Sequence, residues 1–187
     1  MKIQVEFNPA QVTEYRLIGY ETRALNREDF NNDKVDAGEI GAGHSVTALY
    51  EITPVGSPAR LTAPLRYQPD PATADSAELG FLRLRYKAPG EDTSILLETP
   101  VTDAQRAASV EAAPQWARFA TAVAGYGEML KGGEALGAGF GWEEIRNLAN
   151  GAKGPDEFGY RAEFVNLTRL AETAEAQAAL RRQGQEE

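Results

Sequence analysis

The chain has no cysteine and only one histidine, His44, in 187 residues. These two scarcities exclude disulfides, thiolate nucleophiles, iron–sulfur clusters, Cys-based zinc sites and any His-rich metal centre. An imidazole base, if one is used, must be His44. No run of about 18 apolar residues is present, so no segment reads as a membrane-spanning helix. Positive charge is also scarce: 19 Lys and Arg stand against 28 Asp and Glu, a formal charge of −9. Such a chain repels phosphate backbones and lacks the electrostatic term behind most nucleic-acid affinity, which argues against a nucleic-acid partner. Nucleotide and hydrolase signatures are missing too, with no G-x-S-x-G elbow, P-loop or H-E-x-x-H. The lack of cysteine fits the cytosol and the cell envelope equally.

What is present is ordinary globular material, 42% hydrophobic and 25% charged, enough for one domain or two small ones. In the opening stretch Ile3, Val5 and Phe7 alternate with Lys2, Gln4 and Glu6, the period of a strand with one buried face. A chain that opens directly on a strand, with no leader, reads as a piece of a longer polypeptide. Val12–Thr22 and His44–Thr53 are rich in β-formers and read as strands, the second with Val46, Ala48, Tyr50 and Ile52 on one face. Arg60–Tyr67 is a weaker strand because Pro64 lacks an N–H. Leu79–Lys87 and Thr93–Val101 flank a Pro-Gly turn at 88–92 and form a hairpin. The alternation places Ile3, Val5, Leu17, Val46, Tyr50, Leu82, Leu84 and Leu97 inward. The connectors 25–43 and 68–77 are long for loops.

Beyond Thr102 the period changes. Trp116, Phe119, Ala120, Val123, Tyr126 and Leu130 recur at helical spacing between Pro114 and Gly132-Gly133. A shorter helix carries Trp142, Ile145, Leu148 and Ala149, and the Gly137–Gly141 glycines form a loop before it. A third helix, over about 159–179, presents Phe164, Leu167, Leu170, Ala171 and Ala174. Packing through Trp116, Phe119, Val123, Phe164 and Leu167 is expected, with Trp116→Ala costing about 3–5 kcal/mol as for a buried large aromatic. Strands followed by helices give an α+β class: an antiparallel β-sandwich or twisted sheet over 1–101 and a helical subdomain over 102–187 packed on it. Charge does not separate the two parts, since 1–101 holds 10 basic and 15 acidic residues and 102–187 holds 9 and 13.

Three features invite a chemical reading. Asp29, Asn31 and Asp33 reproduce the first ligand spacing of an EF-hand loop, with Asp36 and Glu39 nearby. The match then fails, because Lys34 occupies the glycine position and Ile40 the position of the bidentate Glu, so no metal is expected and a polar turn outweighs a calcium-stabilised module. His44, with Ser45 and with Glu39 or Asp36 to orient it, is the one arrangement that resembles a hydrolase centre. Successive strand residues point to opposite faces, however, which separates His44 from Ser45, and a hydrogen-bonded structural histidine is the stronger reading. Arg83, Arg85 and Lys87 place three cations on one sheet face, which fits either an acidic partner or a solvated face paired with Glu98 or Glu91. No catalytic residue and no cofactor is assigned.

Residues 14–52 (EYRLIGYETRALNREDFNNDKVDAGEIGAGHSVTALYEI), 116–133 (WARFATAVAGYGEMLKGG) and 148–167 (LANGAKGPDEFGYRAEFVNL) closely resemble the C-terminal region of bacterial von Willebrand factor type A (VWA) proteins of the YfbK type. That resemblance covers nearly the whole chain and implies a domain of unknown function that follows a VWA domain, many such proteins resembling envelope lipoproteins. The VWA metal motif D-x-S-x-S is not reproduced: Asp92-Thr-Ser94-Ile-Leu96 breaks it at the last position, so no metal ligand is implied here. What the resemblance implies is a non-enzymatic accessory and protein-interaction domain of the periplasmic side of the envelope, with the VWA domain of its own polypeptide as first partner and other envelope proteins as further ones.

Overall fold

The computed structural model describes residues 1–19, 24–35, 38–63, 77–133, 136–137 and 139–184. They form two compact units, Met1–Arg106 and Ala107–Glu187. The first is built of strands and the second of helices, an α+β arrangement.

The first unit contains β1 (Lys2–Phe7), β2 (Val12–Ile18), β3 (Leu49–Pro54), β4 (Glu78–Tyr86) and β5 (Ile95–Thr102). All pairings are antiparallel, in a three-stranded sheet of order β1-β4-β5 and a two-stranded sheet β2-β3. The hairpin joining β4 to β5 turns at 88–91, where the Glu91 N–H donates to Ala88 O at 3.0 Å. The two sheets meet at Phe7, whose ring centroid lies 4.6 Å from that of Tyr15 and 5.4 Å from that of Tyr50. Gly80 pairs with Phe7, and a Cβ there would stand 2.7 Å from Glu6 O, so only glycine lets β1 approach this closely.

Several strand expectations need correction. The strand expected over His44–Thr53 starts at Leu49, and Ala48 is exposed and outside it. Val46, with 69% of its surface exposed, also lies outside the strand. Residues 60–63 are not a strand, because Glu14 takes the Leu61 and Thr62 N–H groups that a ladder would use. Positions 20–22, Pro64 and the rest of 64–67 lie outside the described residues. The inward set is also partly wrong. Val5, Leu17, Tyr50, Leu82 and Leu84 are half-buried, but Ile3 and Leu97 are 44% and 51% exposed. Lys2, expected outside, is only 7% exposed. The register explains this. Ile3, Leu84 and Leu97 lie side by side on one face, while Lys2 and Arg85 pair on the other. The chain after β2 crosses the second face: a 3-10 turn at Arg27–Asn31 buries Phe30 there. The loop covers the charged face and leaves part of the apolar one open.

The helical unit holds α1 (Gln115–Leu130), α2 (Trp142–Gly151) and α3 (Tyr160–Gln183). Pro114 stands before α1, and Glu144 Oε2 accepts the Gly141 N–H at 3.0 Å to close the first turn of α2. The core consists of Ala122, Trp142, Ile145, Ala149 and Val165. Around it, edge-to-face rings link Phe119 to Phe164 and Tyr126 to both Trp142 and Phe164, the arrangement that the aromatic quadrupole favours. Gly125 brings α1 against α2: a Cβ there would lie 2.6 Å from the Phe140 ring and 3.1 Å from Ile145 Cγ1.

Trp116 overturns its assignment to the core, since it is 64% exposed, and Val123 and Leu167 are each 43% exposed. At about 100° per residue, Trp116 sits about 120° around α1 from the buried Ala122. It shares that outward stripe with Val123 and Leu130, spaced seven residues apart.

Candidate functional site

The acidic loop and the basic strand, read from sequence as separate candidates, meet in the first unit. Lys2 Nζ donates to Asp29 O at 2.8 Å and to Asn32 O. Lys87 Nζ donates to Asp33 O at 2.8 Å, and the Ser94 N–H donates to Asp33 Oδ2 at 3.2 Å. Hydrogen bonds from the Ser94 side chain and backbone, with Lys87 and Arg85 close by, hold the Asp33 carboxyl below its ordinary range. Arg85 Nη1 reaches Ser94 Oγ at 3.2 Å, and its guanidinium lies over the Phe30 ring at 5.7 Å.

Each calcium candidate is therefore placed. The Asp33 carboxylate accepts from Ser94, with Lys87 and Arg85 near enough to favour its charge. The Asp29 carboxylate accepts from Asn26 Nδ2 at 3.1 Å, Asn31 and Glu39 are exposed, and Asp36 lies outside the described residues. Among the described residues no three His, Asp or Glu side chains converge on a common point. Asn32 Oδ1 accepts the Lys34 N–H at 3.0 Å, an Asx turn that fixes the chain where an EF-hand would need glycine.

Of the basic face, Arg83 pairs with Glu98 across the hairpin at 3.2 Å and lies over Phe81 at 5.4 Å. All three cations thus have partners within the unit, the solvated-face arrangement for Arg83 and a loop clamp for Arg85 and Lys87. His44 is exposed in a turn closed by its N–H to Gly41 O at 3.1 Å, and Ser45 beside it is exposed as well. Among the described residues its ring makes no hydrogen bond and no ion pair. The loop and strand also enclose a cleft of about 640 Å³ lined by Asp33, Lys34, Glu39, Arg85, Lys87 and Ser94.

A second cleft, of about 590 Å³, lies in the helical unit between the segment before α1 and the outer side of α2, with Arg118 in its lining. Sequence reasoning missed it. The available signal was that Arg118 is the only cation in the sixteen residues of α1.

A family model described as the C-terminal region of the uncharacterised protein YfbK matches residues 1–174. The uncharacterised protein YfbK of Escherichia coli (strain K12) is 47% identical over 175 residues, covering 92% of this chain and 29% of the relative. No solved structure matches. The chain thus spans less than a third of the relative's length, and it belongs to the YfbK C-terminal domain family.

Proposed function

We propose that this domain is a non-enzymatic accessory and interaction module of a longer bacterial envelope protein, and that its first partner is the VWA domain of its own polypeptide. One observation carries the reading: the β1-β4-β5 sheet leaves the end of its apolar side open. Ile3, Ile95 and Leu97 are 44%, 46% and 51% exposed, whereas the charged side is clamped by the protein's own loop. Contiguous exposed aliphatic surface is the usual mark of an interface. Length supports an occupant from the same polypeptide: the matched relative is more than three times as long as the region shared with this chain. Interfaces within a chain commonly bury about 600–1,500 Å². The resemblance supplies the periplasmic location and the VWA neighbour.

The test compares the full-length parent protein with this domain alone by hydroxyl-radical footprinting. Ile95 and Leu97 are expected to be labelled strongly in the domain and weakly in the full-length protein. Leu97→Asp is expected to lower the full-length melting temperature and to leave that of the domain nearly unchanged. Equal labelling in both forms defeats the reading.

A further inference from the structure

Arg118 is a half-buried cation whose guanidinium donates no hydrogen bond and forms no ion pair among the described residues, and its Nε is shielded from solvent with no acceptor. Shielded donors are nearly always satisfied, because solvation lost without replacement is an uncompensated cost. Every other arginine that an interaction places in this unit has a use. Arg146 pairs with Glu172, and Arg161 donates to Lys153 O while lying over the Phe119 ring at 4.8 Å.

The surroundings of Arg118 define what would satisfy it. Half-buried Val110, Phe140 and Leu148 supply an apolar wall, and Gly151 lines the cleft beside the guanidinium, where a Cβ would stand 3.9 Å from Arg118 Nη1. Two carboxylates stand at the rim, but both are committed. Glu144 accepts the Gly141 N–H, and Glu111 is held below its ordinary range chiefly by the Ser109 side chain. Their negative charge opposes a dianion such as phosphate. A single carboxylate on an apolar body feels about half of that repulsion and fits the planar fork of the guanidinium.

We infer that this cleft is a binding site for a monocarboxylate with an apolar body, held by Arg118 and seated against Val110, Phe140 and Leu148. The inference is independent of the sheet-face reading above, which concerns the other unit. The carboxylate comes either from an acidic residue of a polypeptide partner or from a free organic acid, and the two sources share this chemistry.

The experiment uses the whole chain, labelled with ¹⁵N, and follows the Arg118 Nε–Hε resonance during titration. The probes are hexanoate, the acetylated and amidated tripeptide Leu-Asp-Leu, hexanol as the uncharged control and inorganic phosphate. A saturable shift with hexanoate or with the tripeptide, and none with hexanol, supports the site and identifies the source by which of the two binds more tightly. Arg118→Gln is expected to weaken binding at least tenfold, read from the Phe140 ring protons. Gly151→Leu, which keeps the charge and fills the cleft beside it, is expected to abolish it. Circular dichroism of both variants checks that the helices remain. No saturable shift with either carboxylate overturns the inference. An equal shift with hexanol, tighter binding of phosphate, or unaltered binding by Arg118→Gln overturns it as well.

Discussion

Truncating Ile145 to alanine should destabilise the helical unit far more than truncating Trp116, although tryptophan is the larger residue. Ile145 is completely buried in α2, against Gly125 of α1 and within the cluster of Ala122, Trp142 and Ala149. Its truncation removes three carbons, about 2.4 kcal/mol of transfer free energy at roughly 0.8 kcal/mol per methylene. The gap left behind adds to this, because α1 and α2 already touch at Gly125 and have little freedom to close further. The expected total is about 3–4 kcal/mol, within the usual span for such changes. Trp116 is 64% exposed, so only about a third of its side chain leaves water on folding and no enclosed cavity forms; about 1 kcal/mol is expected. Urea unfolding of the whole chain, followed at 222 nm with the slope fixed between variants, measures both. If Trp116→Ala costs as much as Ile145→Ala, or if Ile145→Ala costs less than about 1 kcal/mol, the assignment of the core is wrong.

Three further outcomes follow from single contacts. Gly125→Ala forces a methyl to 2.6 Å from the Phe140 ring, and the overpacking should cost about 1–3 kcal/mol in the same assay. Lys2→Met keeps the aliphatic stem but leaves Asp29 O and Asn32 O without their donor; a loss of about 1–3 kcal/mol is expected, with faster amide exchange across 27–35. Asp156 accepts the Arg161 and Ala162 N–H groups at the start of α3, and these bonds, Ala162 first, hold its carboxyl below the ordinary 3.8. A depressed folded value means that its stabilisation is present above the unfolded value and is lost as pH falls through the lower folded one. Asp156→Asn should therefore lower the melting temperature at pH 7, by an amount that shrinks as the pH falls below the ordinary carboxylate value.

The elements themselves were legible where local chemistry is decisive. The β4-β5 hairpin follows from alternation about a Pro-Gly turn, and α1 from its proline before and paired glycines after. The inward face was not legible. Alternation says that the two sides of β1 and β4 differ, but which side is covered depends on where a loop 27 residues from Lys2 crosses the sheet. Trp116 failed for a related reason: an apolar stripe along α1 is wider than the strip that α2 and α3 bury, and spacing alone does not mark its edge. The calcium-like loop and the basic strand both stand out as local patterns, yet that each is the other's partner is a long-range fact. Arg118 was passed over because an isolated charge on a helix is unremarkable until its neighbours are known to be otherwise engaged.

The register of β5 bears on how the protein behaves in bulk. In the three-stranded sheet β5 has β4 on one side and no strand on the other among the described residues, which leaves an edge of backbone donors and acceptors that no strand pairs. Pro100 interrupts that row, because it has no N–H to offer, and Glu98 adds a charge. The three residues before them, Ile95, Leu96 and Leu97, have neither guard and expose aliphatic side chains on both faces. The domain in isolation should therefore recruit a second strand along that short stretch and self-associate as concentration rises. A lysine in place of Leu96 is the economical substitution for keeping it monodisperse.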